Sequence, residues 1–321
     1  YKGINGFGIQ YLDSDPATSN VGEVWYNNTT KALKGTTIGV GAWSSGGSLN
    51  TARSSLGGAG TQTAGLAFGG YNGSAPTGDT EEYNGSSWSE QNNLNTARYA
   101  VVGFGTQTAG MAFGGIPLTS KTEKYNGTSW TEVNDGNTAR SRSGSVGTQT
   151  SALIFGGYTT DYVAVTESYN GTSWSEVADL NTARAGLGSL GTATAAIGTS
   201  GTAPLTANVE SWNGSSWTEV ADLNTARADS GSAGVQTEGI IFAGERSGPA
   251  GGDTTMTEAW NGTSWTEVAD MATARFNVAR GVFGTSTLAL AAGGYRAVPG
   301  QSNLTEEWTA PETATVSFDV S

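Results

Sequence analysis

Hydrophobic and polar positions along the chain follow one pattern that recurs six times. Each copy opens with small residues after an arginine and continues with an apolar run that ends in glycine. A glutamate then precedes an aromatic residue, and a tryptophan opens a last segment with alternating acidic positions. Short runs of this kind, separated by glycine-rich segments, are typical of β-strands. The pattern therefore predicts four strands per copy, named a, b, c and d in chain order.

The spacing within the copies is highly regular. The tetrapeptide Asn-Thr-Ala-Arg recurs at intervals of 45, 42, 44 and 43 residues, and a sixth version follows after 48. The arginine lies seven residues before a glycine in five copies, but nine residues before Gly284 in the sixth. Only the connection between strands b and c varies freely in length, which indicates a repeat architecture with one variable loop. Copies one to six start at Asn50, Asn95, Asn137, Asn181, Asn224 and Ala272.

The sixth copy lacks part of the pattern. It has a strand c around Trp308, but no tryptophan-led strand d follows. Trp43 lies seven residues before Asn50, the same offset that each strand-d tryptophan has from the next copy. The sequence thus predicts an all-β fold, a six-bladed β-propeller of four-stranded blades that its N-terminal strand closes. Strands a would converge on the axis, which explains their small residues, and closure would remove open sheet edges.

The double glycine after an apolar strand, followed by tyrosine and then tryptophan, resembles the kelch repeat over residues 41–309. Copies four and five depart from it, with Thr199-Ser200-Gly201 and Ala243-Gly244. The Asn-Gly-Thr-Ser-Trp and Asn-Thr-Ala-Arg segments are similar to kelch-like virion proteins of marine bacteriophages. Residues 22–34 are similar to hairpins in bacteriophage tail-fibre proteins. These resemblances imply a virion or extracellular surface location and a role in host attachment.

Three segments follow from this organisation. Residues 1–40 are predicted to be an N-terminal extension with a hairpin, residues 41–309 the propeller, and residues 310–321 a C-terminal extension strand. The Asn-Gly pairs between strands c and d predict type I′ turns, which need positive φ at both central residues. The chain starts at Tyr1 rather than Met, which indicates a processed chain or part of a longer one.

Charge and composition exclude several functions. The net charge is −13, which opposes binding to nucleic acid and anionic membranes, and no apolar run is long enough for membrane insertion. The chain has no cysteine and no histidine, so disulfides, thiolate metal sites and imidazole catalysis are ruled out. We therefore expect no cofactor, no metal site and no enzymatic activity.

One arginine and one glutamate recur in every copy. Their one-to-one recurrence predicts a structural ion pair in each blade. The alternative is a ring of guanidinium groups that binds an anion at the mouth of a central channel. The arginines are Arg53, Arg98, Arg140, Arg184, Arg227 and Arg275, and the glutamates are Glu81, Glu123, Glu167, Glu210, Glu258 and Glu306.

Other polar positions have an ordinary interpretation and a functional one. The Asn-Gly-Ser/Thr triplets match the glycosylation sequon, but turn formation already accounts for them. Asp13 and Asp15 are candidate calcium ligands, although two carboxylates are a weak signal. Four aspartates fall outside the repeat pattern and are interpreted as solvated loop residues, with glycoside hydrolysis as the functional alternative. These are Asp79, Asp161, Asp229 and Asp253.

The variable b–c connections are the predicted ligand-binding face, because rigid scaffolds commonly carry function on such loops. The alternative is that these loops vary because nothing constrains them. Tyrosines there are suited to stacking on sugar rings, and arginines to binding carboxylates. The connections are 71–79, 116–121, 158–165, 202–208, 245–256 and 295–304, and the residues are Tyr71, Tyr158, Tyr162, Arg246, Tyr295 and Arg296.

The sequence thus predicts a non-enzymatic binding or structural module of a virion or surface fibre. Its expected partners are a host-surface glycan or protein and other virion proteins, with a homo-oligomer left open. No nucleic acid and no membrane insertion are expected. Two alternatives remain, a polysaccharide-active enzyme that uses loop carboxylates and a purely structural capsid or tail decoration.

Overall fold

The computed structural model describes residues 9–19, 22–38, 41–202, 204–246, 252–298 and 300–318. Within these ranges the protein is all-β and contains no helix, so none of these residues forms a membrane-spanning helix. The chain falls into two compact units, one of residues 42–309 and one of residues 1–41 and 310–321.

The larger unit consists of small antiparallel sheets, as expected for a propeller-like fold. Its described residues form five sheets of four strands, each in the order a, b, c, d. Strands a are Gly57–Thr61, Val102–Thr106, Gly144–Thr148, Gly188–Thr192 and Gly231–Val235. Strands b are Ala64–Phe68, Ala109–Phe113, Ser151–Phe155, Ala195–Thr199 and Glu238–Phe242. Strands c are Thr80–Tyr83, Thr122–Tyr125, Thr166–Tyr169, Val209–Trp212 and Thr257–Trp260. Strands d are Trp88–Gln91, Trp130–Val133, Trp174–Val177, Trp217–Glu219 and Trp265–Val268. Glu245–Arg246 and Gly252–Asp253 form a separate two-stranded ladder in the b–c connection of copy five.

The side chains of each strand match its place in the sheet. Strands b are buried almost throughout, because they are central and covered on both faces. Each strand d buries its tryptophan and exposes the two residues after it. Strands a of neighbouring copies approach so closely that a Cβ on Gly103 would lie 2.4 Å from the Gly58 carbonyl oxygen. Only small residues fit there.

The sixth copy differs from the other five. Its described residues form three strands, Leu288–Ala292, Thr305–Thr309 and Ala42–Gly46. Ala42–Gly46 comes from the N-terminal side of the chain and pairs antiparallel with Thr305–Thr309, so that Trp43 lies opposite Trp308. The prediction of a strand a here is wrong. Residues 276–284 make only isolated β-bridges.

The smaller unit is a sheet of Gln10–Leu12, Val24–Asn27, Ala32–Ile38 and Thr313–Phe318, in that order. Val24–Asn27 and Ala32–Ile38 form a hairpin, and Thr313–Phe318 pairs with its second strand. Asp15 accepts hydrogen bonds from Lys34 Nζ (2.7 Å), Asn27 Nδ2 (2.7 Å) and Trp25 Nε1 (3.1 Å). These donors, led by Lys34, lower the pKa of Asp15 to about 2. Asp15 is thus already paired with a cation, which argues against the calcium interpretation.

The turns between strands c and d are not type I′. In copy one the ladder ends at the pair of Tyr83 and Trp88, so the turn has four residues. Only Gly85 among them has positive φ (89°). The side-chain oxygen of Asn84 accepts hydrogen bonds from the Ser86 and Ser87 N–H groups, both at 2.9 Å. The asparagine therefore stays at negative φ and closes the turn with its side chain, and other copies do the same.

Candidate functional site

The repeated arginines and glutamates lie in contact in every copy. The nitrogen–oxygen distances are 2.9, 2.7, 3.0 and 2.6 Å in copies one to four and 3.3 Å in copy six, and Arg227 pairs with Glu258 in copy five. The glutamate's second oxygen accepts bonds from the first residue of the tetrapeptide, as Glu81 does from Asn50 N (2.7 Å) and Nδ2 (2.9 Å). We call this arrangement the Arg–Glu clasp. It explains why Asn and Arg recur together with one glutamate.

The clasps exclude the anion-binding interpretation of these arginines. All six guanidinium groups are buried, and each is held by its own glutamate rather than facing a channel mouth. Burial lowers the pKa of Arg140 to about 10, despite the opposing charge of Glu167. The clasps are therefore structural.

Successive copies are joined by side-chain hydrogen bonds. In five copies the strand-d tryptophan donates to the strand-c threonine of the preceding copy, as Trp130 Nε1 does to Thr80 Oγ1 at 3.0 Å, whereas Trp265 Nε1 donates to the Ala221 carbonyl oxygen. Trp43 Nε1 donates to Thr257 Oγ1 at 3.0 Å in the same way. Gln62 Nε2 in the first copy donates to the Trp308 carbonyl oxygen in the sixth at 2.7 Å. The first and last copies are therefore bonded to each other.

A circuit of backbone hydrogen bonds links the residue two positions after each repeat arginine. Each N–H donates to the carbonyl oxygen of the preceding copy's counterpart, at 2.7–3.1 Å, and Ser55 N donates to Asn277 O, so the circuit closes. All six residues are in the left-handed region, with φ from 52° to 72°. We call this circuit the axial ring. Its members are Ser55, Ala100, Arg142, Gly186, Asp229 and Asn277.

The extra residues of the sixth copy fill the space between the innermost strands. The carbonyl oxygen of Arg280 accepts hydrogen bonds from Gly58 N (2.8 Å) and Gly103 N (3.2 Å). Ser232 Oγ donates to Gly281 O at 3.3 Å. A Cβ on Gly281 would lie 2.1 Å from Gly103 O, so only glycine fits. Residues 280–281 thus plug the space that strands a of copies one, two and five surround.

Asp229 of the axial ring lies between two arginines. Its Oδ2 is 2.5 Å from Arg142 Nη2 and its Oδ1 is 2.7 Å from Arg280 Nη2. The Asp229 and Arg280 side chains are 3% and 2% exposed, whereas that of Arg142 is 28% exposed. Burial by itself would raise the pKa of Asp229, but the two guanidinium groups outweigh it and hold that pKa below its usual range. The interpretation of Asp229 as a solvated loop residue is wrong. Of the other three aspartates, Asp161 is exposed and Asp79 and Asp253 are half-buried.

A pocket of about 330 Å³ lies beside the axial ring. Three tyrosines, Tyr71, Tyr99 and Tyr295, line it, and the Tyr71 and Tyr99 rings are 5.5 Å apart with an interplanar angle of 55°. We call it the tyrosine pocket. Gln301, Ser54 and Ser55 complete its lining. Among the described residues, none of the six side chains hydrogen-bonds to another group, so their hydroxyl and amide groups are free for a ligand.

Backbone pairing brings these residues together from three copies. The first residue of a b–c connection forms a β-bridge with the residue that follows a repeat arginine, as Tyr71 does with Ser54. Tyr295 pairs with Phe276 in the same way, and their rings are 5.4 Å apart. Tyr99 directly follows Arg98 and pairs with Ile116. Each aromatic is thus fixed by the blade scaffold.

The predicted site residues do not all meet. Tyr71 and Tyr295 share the tyrosine pocket, but Tyr158 and Tyr162 form a separate pair in copy three, 5.4 Å apart. Arg246 Nη1 lies 3.0 Å from Met256 Sδ. Neither Arg246 nor Arg296 forms an ion pair with any residue that the structure describes.

Sequence reasoning missed Tyr99 and Arg142. Tyr99 stands where copies one, three, four and five have serine or alanine, and Arg142 follows Arg140 by two residues in a small-residue run. The signals available in the sequence were a bulky tyrosine and a charged arginine at positions where most other copies have small residues. No protein-family model matches the chain, and no curated protein matches it in sequence. The site is therefore interpreted from its own geometry.

Proposed function

We propose that residues 42–309 form a six-bladed propeller closed by Ala42–Gly46. The axial ring supports this proposal because its six hydrogen bonds run through all six copies and return to the first. The bonds of Trp43 to Thr257 and of Gln62 to Trp308 also support it, because they join the sixth copy to the fifth and to the first. A closed ring of this kind would hold the b–c connections rigidly on one face.

We further propose that this face binds glycans without cleaving them, on the surface of a virion or fibre. The observation that carries the proposal is the tyrosine pocket. Aromatic faces stack on the C–H groups of a sugar ring, while free hydroxyl and amide groups match its hydroxyls. The pocket volume of about 330 Å³ is at the lower end of small-molecule sites, which suits one or two sugar rings.

The disposition of carboxylates favours binding over hydrolysis. Glycoside hydrolysis needs two carboxyl groups on either side of the scissile bond. The described residues that line the tyrosine pocket include no carboxylate. The six repeat glutamates are bound in clasps and are buried. Across the ranges that the structure describes, no group of three or more acidic side chains is placed to hold a metal ion.

A glycan array with neutral, carboxylated and sulfated chains tests this function. We expect the protein to bind members of the array, and Tyr99→Ala and Tyr295→Ala to weaken binding roughly tenfold or more without changing the melting temperature. Tyr158→Ala is the matched control, because that tyrosine is 37% exposed on the same face but lies outside the pocket. Absence of binding to every glycan would contradict the proposal, and so would new reducing ends after incubation with a bound glycan.

A further inference from the structure

Arg142 and Asp229 of the axial ring and Arg280 of the plug form a charged cluster of two arginines and one carboxylate. Six of the ten arginines are paired with glutamates in the clasps. Arg142 and Arg280 share a single carboxylate, that of Asp229. Glu245 acts on Arg142 from farther away, but among the described residues only Asp229 lies within ion-pair distance of the two arginines, in a protein whose net charge is −13. Buried charges normally have partners, so this imbalance favours an additional anion.

The free donors of the cluster belong to its two arginines. Arg280 Nε and Nη1 are buried and make no hydrogen bond to any described residue. Arg142 contacts Asp229 through Nε (3.3 Å) and Nη2 (2.5 Å). Its Nη1 hydrogens and one Nη2 hydrogen remain free of described acceptors. Because 28% of its side chain is exposed, whereas Arg280 is buried, Arg142 is the group that a ligand can reach.

The free edge of Arg142 has the geometry for a second oxyanion. A guanidinium group presents two parallel N–H bonds along its Nη1–Nη2 edge, and this fork matches the two oxygens of a carboxylate. Asp229 occupies the other side, through Nε, and so fixes the plane of the group. Arg142 is thus held in place for recognition rather than free to rotate.

The axial ring connects Arg142 to the tyrosine pocket. Ser55 lines the pocket and belongs to the ring, and its carbonyl oxygen accepts the N–H of Ala100 at 2.7 Å. The carbonyl oxygen of Ala100 accepts the N–H of Arg142 at 3.1 Å. Arg142 therefore lies two ring positions from the wall of the pocket. A ligand that contacts both groups must therefore be longer than one sugar unit.

We propose that Arg142 binds a carboxylate on the glycan whose ring occupies the tyrosine pocket, so that the ligand is an acidic glycan. This inference rests on the proposed glycan binding and adds its substrate class. Sulfated glycans offer a related oxyanion, which an arginine fork also binds through two oxygens, so the comparison of carboxylated with sulfated chains separates the two.

The array described above tests the inference when its carboxylated, sulfated and neutral members are compared. We expect the carboxylated members to bind best. The best of them and its carboxyl-reduced derivative then form a matched pair, for which titration calorimetry should show roughly tenfold tighter binding of the acid. Arg142→Gln should remove this preference and leave binding of the reduced, neutral derivative unchanged. Arg142→Lys should keep part of it, because a lysine ammonium group cannot form the fork.

Arg246→Gln and Arg296→Gln are the comparison variants, since these two arginines of the b–c connections are the competing candidates for binding the carboxylate and have no ion pair among the described residues. They should retain the preference for the acid. Equal binding of acid and reduced derivative, a preference for sulfated chains, or loss of the preference in a comparison variant would each overturn the inference. Glycan binding itself would stand in those cases. If no glycan binds at all, the proposed function fails instead.

Discussion

Copies one to five resemble one another closely, whereas copy six differs from them in the number of its strands and in where they come from in the chain. The first five are contiguous in the chain and have four strands each, and each has asparagine at the start of its clasp. The sixth takes one strand from residues 42–46, starts its clasp with Ala272, and carries the plug of residues 280–281. It also supplies Tyr295 and Gln301 to the tyrosine pocket and Arg280 to the charged cluster.

The difference separates the parts that hold the fold from the parts that we propose to bind a ligand. Features that recur in every copy, such as the clasp, are buried and balanced in charge, as expected for parts that hold the fold. Two features that occur once, the tyrosine pocket and the cluster of Arg142, Asp229 and Arg280, instead have unbonded polar groups or more arginines than carboxylates. The proposed ligand site is thus marked by departures from the repeat rather than by a recurring motif.

Removal of residues 1–46 should have the largest effect. It takes away strand Ala42–Gly46, leaves Thr305–Thr309 with an unpaired edge, and removes the bond of Trp43 to Thr257. We expect a loss of about 5 kcal/mol or more in the free energy of unfolding, or aggregation. Removal of residues 1–41 is the control, because it keeps the strand. If both truncated proteins unfold at the same denaturant concentration, this strand does not close the ring.

Replacement of a clasp arginine by alanine should have the second-largest effect on stability. Arg140→Ala leaves Glu167 buried without its cation, and loss of one partner of a buried pair typically costs about 3–5 kcal/mol. Arg275→Ala should cost less, because its pair is longer (3.3 Å) and neither Arg275 Nη1 nor Glu306 Oε1 makes a hydrogen bond in the described structure. Urea unfolding of both variants measures the difference. The double variant Arg140→Leu/Glu167→Leu should recover part of the loss, since it leaves no unpaired charge.

The charged cluster should give a smaller, pH-dependent effect. The depressed pKa of Asp229 means that its carboxylate stabilises the fold above the pKa it has when unfolded. This stabilisation is lost as the pH falls below about 4 and through the folded pKa. Asp229→Asn should lower stability at pH 7 by about 2 kcal/mol and flatten the acid limb of the stability profile. An acid limb as steep as that of the unchanged protein would show that other carboxylates cause it.

Introducing an asparagine into the sixth clasp should have the smallest effect on stability. Ala272 N donates to Glu306 Oε2 at 2.7 Å, but alanine lacks the amide that asparagine provides in the other copies. Ala272→Asn should therefore raise stability by about 1 kcal/mol. Ala272→Asp is the matched control, because it has the same shape but places a second carboxylate beside Glu306 and should destabilise. Equal melting of the two variants would mean that the added side chain does not reach the glutamate.

The sequence allowed the strands to be predicted because their signals are local. Glycine spacing, the tryptophan offset and the Asn-Gly pairs each lie within a few residues of the element they mark. The type I′ prediction failed because the Asn84 side chain bonds to Ser86 and Ser87, a contact that backbone preference does not reveal. In the sequence, the missing strand a of copy six shows only as the nine-residue spacing from Arg275 to Gly284. That spacing does not reveal which structure the two extra residues adopt.

The candidate site was less predictable, because it is assembled between copies. Tyr71 and Tyr295 were expected on the variable face, yet nothing in the chain says that they meet across copies one and six. Tyr99 belongs to the segment after a repeat arginine, where small residues dominate, and it reaches the pocket through its pairing with Ile116. Asp229 and Arg280 are 51 residues apart, and only the axial packing brings them together.

The pairing of Ala42 with Thr309 has a mechanical consequence. These two residues face each other at the point where the chain enters and leaves the larger unit. The segments beyond them are also paired, with Ile38 opposite Thr313 and Leu33 opposite Phe318. A force that pulls Leu33 and Phe318 apart therefore breaks these antiparallel pairs one after another rather than all at once. The pairs between residues 33–38 and 313–318 would therefore open before the force reached the pair of Ala42 and Thr309.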